Sequence, residues 1–266
     1  MTNVVDAHSP VEIARRVESL GVAKARADAL TLLLLSGLAG AFVSLGGLLY
    51  LFVMTDHGLG FGPARLLGGL AFSLGLILVV VAGAELFTGN NLVAMAWASR
   101  RIGVGALLRN WTLVYLGNVV GCLATVGIVL AADLASVRGG ALEETVRGVF
   151  HAKAELAGDV AFARGVLCNA LVCLAVWLAM GGRSLTDKVL AIVFPITAFV
   201  ALGLEHSIAN WFFLPYALAF VDGPNVTIDA ARNLVAVTAG NVVGGTLLVA
   251  GVYWTAYLRN EGGDPT

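Results

Sequence analysis

The sequence predicts an all-α integral membrane protein with six transmembrane helices, arranged as two inverted three-helix repeats. Three observations carry that expectation. Hydrophobic side chains make up 59% of the 266 residues, before 33 glycines are added, and charged side chains only 12%. An ordinary soluble chain is about 45–50% apolar with glycine included and about 25% charged, and a soluble domain of this size needs far more polar cover. Charged residues gather at the ends of long apolar runs, and one pentapeptide occurs twice, far apart in the chain. The net charge of −1 gives no reason to expect a nucleic-acid partner.

The first 28 residues carry eight charged side chains and no apolar core, so no cleavable signal peptide is expected. Ser9-Pro10-Val11-Glu12 reads as a capping box with proline at the first helical position. Ile13, Val17 and Leu20 then recur on one face, and Gly21 is expected to close the helix. Such a segment either lies on the membrane surface or forms a lid over a pore.

Four runs between charged residues have the length of a single crossing: 27 residues between Asp28 and Asp56, 23 between Arg109 and Asp133, 18 between Arg164 and Arg183, and 26 between Arg232 and Arg259. A helix needs about 20 residues to cross about 30 Å of hydrocarbon. Two further runs are too long for one crossing and too short for two. Leu66–Ser99 spans 34 residues with one charge, Glu85, and Val189–Val221 spans 33 with one charge, Glu205. A single crossing broken at mid-membrane fits both, because backbone unwinds there only where it is buried in protein or lines a cavity. The expected layout is an N-terminal amphipathic helix (1–28), a channel domain (29–258) and a tail (259–266). The channel domain divides into a first repeat (29–132), an outer loop (133–163) and a second repeat (164–258).

Lys and Arg set the orientation. The N-terminal segment, the second and fourth connections and the tail hold ten of them, whereas the short connections on the other side hold only Arg65 and Arg232. Both termini are therefore expected in the cytoplasm. The repeat itself is explicit. Gly117-Asn118-Val119-Val120-Gly121 returns as Gly240-Asn241-Val242-Val243-Gly244, and Gly83-Ala84-Glu85 returns as Gly203-Leu204-Glu205. Three crossings per half give the halves opposite orientation, which places a substrate path near the midplane between them. GNVVG is also a GxxxG motif, so Asn118 and Asn241 read as polar links between closely packed helices.

Ionisable groups deep in a bilayer are costly and therefore point to function. Glu85, Glu205 and His206 are the ones well inside predicted spans. The glutamates are expected to support the breaks by satisfying unwound N–H groups, beside Asn90 and Asn210. Where a helix restarts at mid-membrane its first turn exposes N–H groups carrying about half a positive charge. Two such ends, with Thr88 and the imidazole of His206, make a donor-rich midpoint suited to a small anion. An unperturbed imidazole titrates near about pH 6.5, so His206 is a candidate to lend a proton to a weak-acid anion. The neutral acid then avoids the several kcal/mol that a bare anion loses on desolvation. Phe72, Leu76, Leu86, Phe87, Val172 and Phe199 are candidates for dry constrictions. Asn169 is polar within the fourth span, and Lys153 stands at the outer mouth, where it would draw anions. Cys122, Cys168 and Cys173 read as small apolar packing residues.

Gly83-Ala84-Glu85-Leu86-Phe87-Thr88-Gly89-Asn90, the run Gly203-Leu204-Glu205-His206-Ser207-Ile208-Ala209-Asn210, Cys168-Asn169 and both GNVVG copies together resemble the formate/nitrite transporter family. The resemblance covers nearly the whole chain. It implies an aquaporin-like protomer in a homopentamer, each protomer with its own pore, in the bacterial inner membrane. It also implies that Thr88 and His206 form the central polar pair, with Leu76, Leu86, Phe72, Phe199 and Val172 at the constrictions. Lys153 and Asn169 match the outer vestibule and its path to the histidine, and the N-terminal helix matches a segment implicated in gating. Formate is the first expectation for the anion, from Gly89-Asn90-Asn91, with nitrite and hydrosulfide as alternatives. One departure is visible: Trp211 follows Asn210 where the family pattern commonly has Met, so the packing behind the histidine should differ.

A neutral-solute channel of aquaporin type is a more distant alternative, since neither break carries the paired Asn-Pro-Ala signature. A sodium-coupled transporter lacks a cluster of membrane carboxylates. With no metal-ligand cluster, phosphate loop or nucleophile–base pair in view, neither an enzyme nor a cofactor is expected. The expected partners are small monovalent anions, protons, the lipid bilayer and further copies of the chain.

Overall fold

The computed structural model describes residues 7–260, and the described chain is built from helices joined by short turns. The N-terminal helix α1 (Pro10–Arg26) precedes the first half: α2 (Ala29–Met54), α3 (Phe61–Ala82), a break, then α4 (Phe87–Asn90), a 3-10 turn over Asn91–Val93, α5 (Ala94–Ala98) and α6 (Val104–Ala131). A connecting helix, α7 (Ala141–Ala154), leads to the second half. That half holds α8 (Gly158–Gly181), α9 (Leu185–Ala201), a second break, α10 (Ser207–Ala217), α11 (Val226–Val243), a π-helical stretch over Gly244–Gly251 and α12 (Val252–Tyr257). The tail beyond residue 260 lies outside the described residues.

Five helical runs are long and apolar enough to cross a bilayer: α2, α3, α6, α8 and the continuous run from α11 to α12. The sixth crossing is the broken pair α9 and α10. Large side chains such as Leu30, Leu34, Phe52, Phe61, Ile128, Phe194 and Val235 are exposed on the outside of the bundle. Such an outer surface suits a hydrocarbon solvent.

The two GNVVG copies act as close-packing points. A Cβ at Gly121 would collide with the carbonyl of Gly37 on α2, and a Cβ at Gly244 with the carbonyl of Val166 on α8. Each α6/α11 helix thus touches the backbone of the first helix of its own half.

Three details differ from the sequence reading. The capping box forms as expected, with the Ser9 N–H donating to Glu12 Oε2 at 2.7 Å, but α1 does not stop at Gly21. It runs to Arg26 because Gly21 is a contact point and not a terminator: the site of its missing Cβ lies 3.2 Å from Ala96 Cβ. The chain then turns at Ala27, and Asp28 caps α2 by accepting from the Thr31 N–H at 2.9 Å. The long third connection is not plain loop, since it contains α7. Finally, α8 begins at Gly158, six residues before the charged boundary at Arg164.

Candidate functional site

The two breaks are built alike. The chain leaves α3 through Gly83 (φ +86°) and, past the end of α9 at Ala201, turns through Gly203 (φ +69°), left-handed conformations that only glycine adopts without strain. The Ala84 N–H returns to Val79 O and the Leu204 N–H to Phe199 O. Glu85 N–H then donates to Leu35 O on α2, and Glu205 N–H to Arg164 O on α8.

Asn118 and Asn241 close the breaks. Asn118 Oδ1 accepts from the Phe87 N–H at 2.9 Å, while its Nδ2 donates to Ser36 O and Glu85 O. Asn241 Oδ1 accepts from the Ser207 N–H at 2.8 Å, and its Nδ2 donates to Gly165 O and Glu205 O. Each amide therefore satisfies one N–H and one carbonyl of the unwound break, which hydrocarbon would leave stranded, and adds a bond to a carbonyl inside the neighbouring helix. This corrects the sequence reading, which gave the unwound N–H groups to the glutamates.

The glutamates instead anchor clamps. Glu85 Oε2 accepts from Asn90 Nδ2 (2.7 Å) and Lys24 Nζ (2.9 Å). Glu205 accepts from Asn210 Nδ2 (2.7 Å) and Lys153 Nζ (3.0 Å). Asn90 donates on to Asn110, which donates to Lys24 O; Asn210 donates on to Asn233, which donates to Lys153 O. Lys24 on α1 and Lys153 on α7 thus hold matching positions on the two sides. Lys153 lines the α7-side cavity, is largely buried, and also sits 5.5 Å over the Phe213 ring.

Between the breaks, Thr88 Oγ1 and His206 Nε2 meet at 3.0 Å, both buried. His206 Nδ1 accepts from the Ala209 N–H at 3.0 Å, capping α10. A backbone N–H only donates, so Nδ1 carries the lone pair and the proton sits on Nε2. With the Phe87, Ser207 and Ala209 N–H groups already taken and the His206 Nε2–H donating to Thr88 Oγ1, the donor left open at the midpoint is the Thr88 hydroxyl, rather than two open helix ends.

Two cavities flank this pair. One, of about 420 Å³, opens on the α7 side and is lined by Phe72, Phe199, Lys153, Glu205 and His206 among others. The other, of about 230 Å³, opens on the α1 side and is lined by Leu76, Leu86, Lys24, Glu85 and Asn90. Phe72 and Phe199 meet edge-on at 5.6 Å, and Phe199 stacks on His206 at 5.9 Å. Five residues singled out in the sequence, Thr88, Asn210, Phe87, Val172 and Asn169, line neither cavity. Phe87 packs edge-on to Tyr115 and Trp111. Val172 is buried within the core. Asn169 braces the site from behind, its Nδ2 reaching Thr88 O, Asn91 Oδ1 and Asn241 O.

The sequence reading missed Lys24, Asn110 and Asn233 as clamp residues. The signal for the asparagines was present: the spacing that relates Asn118 to Asn241 also relates Asn110 to Asn233. Trp211, the departure from the family pattern, donates its Nε1–H to Tyr115 OH at 2.8 Å, and Tyr115 OH lies 3.2 Å from Thr238 Oγ1. A polar chain therefore ties the two halves together behind the site.

Comparison with known proteins agrees with this architecture. Residues 11–255 match the family described as formate/nitrite transporter. The chain belongs to that family. It is 39% identical to the formate channel FocA of Escherichia coli (strain K12), over 97% of this chain and 98% of that one. It is 38% identical to a probable formate transporter of Methanothermobacter thermautotrophicus, over 94% and 97% respectively. Among solved structures, a pentameric formate channel with formate bound matches at 41% identity with a TM-score of 0.80, covering 87% of this chain and 98% of that chain. An ion channel of the same family matches at 30% identity with a TM-score of 0.84, over 92% and 98%.

Proposed function

We propose that the chain forms a channel for small monovalent anions, formate first and nitrite or hydrosulfide next, and carries out no catalysis. The observation that carries this reading is the Thr88–His206 pair, buried between two cavities that open on opposite sides. On this reading α1 and the termini face the cytoplasm, α7 faces outwards, and the protein assembles as a homopentamer in a bacterial inner membrane. Residues 29–132 and 164–258 form the two transporting repeats, joined by 133–163, between the N-terminal segment 1–28 and the tail 259–266. Leu76 with Leu86, and Phe72 with Phe199, form the dry gates, with Val172 packed behind them.

An anion reaching the midpoint meets the Thr88 hydroxyl and, by taking the place of the Thr88 oxygen, the Nε2–H of His206. Lending a proton requires the imidazolium, which has no lone pair for the Ala209 N–H. The ring must therefore leave its cap when Nδ1 takes up a proton, before one is lent, coupling protonation of the anion to a movement at the start of α10.

The test is flux into proteoliposomes over about pH 5–8, spanning the range in which an imidazole titrates, for wild type and His206→Asn. Saturating formate flux whose pH dependence is lost in the variant is expected. A variant that matches wild type at every pH makes His206 purely structural and overturns the mechanism. Flux of uncharged solutes alone would support the aquaporin-type alternative.

A further inference from the structure

The two vestibules are not electrostatically equal. The charged side chains lining the α1-side cavity are Lys24 and Glu85, which cancel. The α7-side cavity is lined by Arg65, Lys153 and Arg164 against the single carboxylate of Glu205. Lys153 is already paired with Glu205 at 3.0 Å. Two guanidinium charges are left over.

Both converge on the last turn of α9. Arg65, from the start of α3, donates to Ala201 O (3.1 Å), Val200 O (2.7 Å) and Tyr50 OH (3.2 Å). Arg164, from α8, donates to Gly203 O at 3.3 Å. Arg65 Nη2 also lies 3.1 Å from the point where a Cβ of Gly203 would be. The C-terminus of a helix carries about half a negative charge, which offsets only a fraction of two full positive ones. A guanidinium has five N–H donors in a planar fork that fits two oxygens of an oxyanion, and the bonds above use three of Arg65's and one of Arg164's. Both arginines line the larger of the two cavities, which also takes in the Phe72–Phe199 pair and the Phe213 ring.

We propose that the α7-side vestibule holds an oxyanion-binding site, built by Arg65 and Arg164 on the terminal turn of α9, that takes carboxylates or sulfonates too large to pass the phenylalanine gate. Such an anion sits over the gate as a one-sided plug. The proposal rests on the reading of the chain as a formate channel, but its binding step does not.

The probe is benzenesulfonate, a permanently charged planar oxyanion whose ring can pack on the aromatic wall. Two measurements separate the claims. Calorimetric titration of the purified full-length protein reads binding whether or not formate crosses. Formate flux in a bilayer, with the probe added to one side at a time, reads the plug. Wild type is expected to bind the probe and to be inhibited competitively from the α7 side only. Arg164→Gln, which keeps a donor for Gly203 O but removes the charge, should weaken binding and block about tenfold, as for loss of a charge-assisted contact. Arg164→Lys, which keeps the charge without the fork, should fall between the two. Absence of binding to wild type, equal block from both sides, or an Arg164→Gln protein that binds as wild type each overturns the site. Binding without any formate flux would overturn the transport reading and leave the site standing.

Discussion

The first break, Gly83–Leu86, and the second, Gly203–His206, share one scaffold and differ in what that scaffold carries. Both end a helix on a left-handed glycine, both are closed by the asparagine of a GNVVG motif, and both tie a glutamate to an asparagine and a lysine. At the position that starts the next helix, however, the first has Leu86, with no side-chain cap, and the second has His206, which caps through Nδ1. Among the described residues, the second break alone has arginines bonded to its preceding helix end. The duplication preserved what the membrane demands of an unwound backbone, which is full hydrogen bonding, and left the remaining positions free to differ in chemistry.

The largest expected effect tests the shared part. Asn118→Ala and Asn241→Ala each strand the two buried backbone groups of their break, at about 1–3 kcal/mol per group. Thermal unfolding in detergent should show both variants destabilised, on the order of 2–6 kcal/mol, and to a similar degree. One variant tolerated and the other not would mean that the breaks are held by different means.

A smaller effect should separate the halves. Glu205→Gln leaves Lys153 without its counter-ion at 15% side-chain exposure, whereas Glu85→Gln leaves Lys24 at 31%. Removing one partner of a buried pair costs about 3–5 kcal/mol and of an exposed pair about 1 kcal/mol or less. The same unfolding measurement is expected to rank Glu205→Gln as clearly the more damaging. The reverse order would place the tighter clamp on the α1 side.

The smallest effect concerns the helix that supplies Lys24. Hydrogen bonds from Ser9 hold the Glu12 carboxyl below its usual range. A depressed folded-state value means that this contribution is complete above the ordinary carboxylate range and fades as pH falls through the lowered one. Limited proteolysis of the N-terminal segment should therefore accelerate under acid conditions, and in Ser9→Ala the acid dependence should be weaker. Proteolysis that ignores both changes would show that α1 is held by its buried face and Lys24 alone.

Much of the fold was legible because a bilayer imposes simple rules. Apolar runs of crossing length, charges at their ends, two runs of the wrong length and a repeated pentapeptide lead to six crossings, two breaks and an inverted duplication without reference to any neighbour. Thr88 and His206 were likewise visible, as polar groups beside the breaks. What the sequence left open were the pairings, because a side chain's partner depends on which helices are brought together. Nothing local says that Asn118 and not Glu85 satisfies the Phe87 N–H, that Lys24 reaches Glu85 across 61 residues, or that Phe87 turns towards Tyr115 and Trp111 and away from the path. Arg65 and Arg164 read in the sequence as charges marking the ends of spans. Only the packing of α3 and α8 against the end of α9 brings them together at one helix end, whose partial negative charge is too small to offset two guanidinium charges.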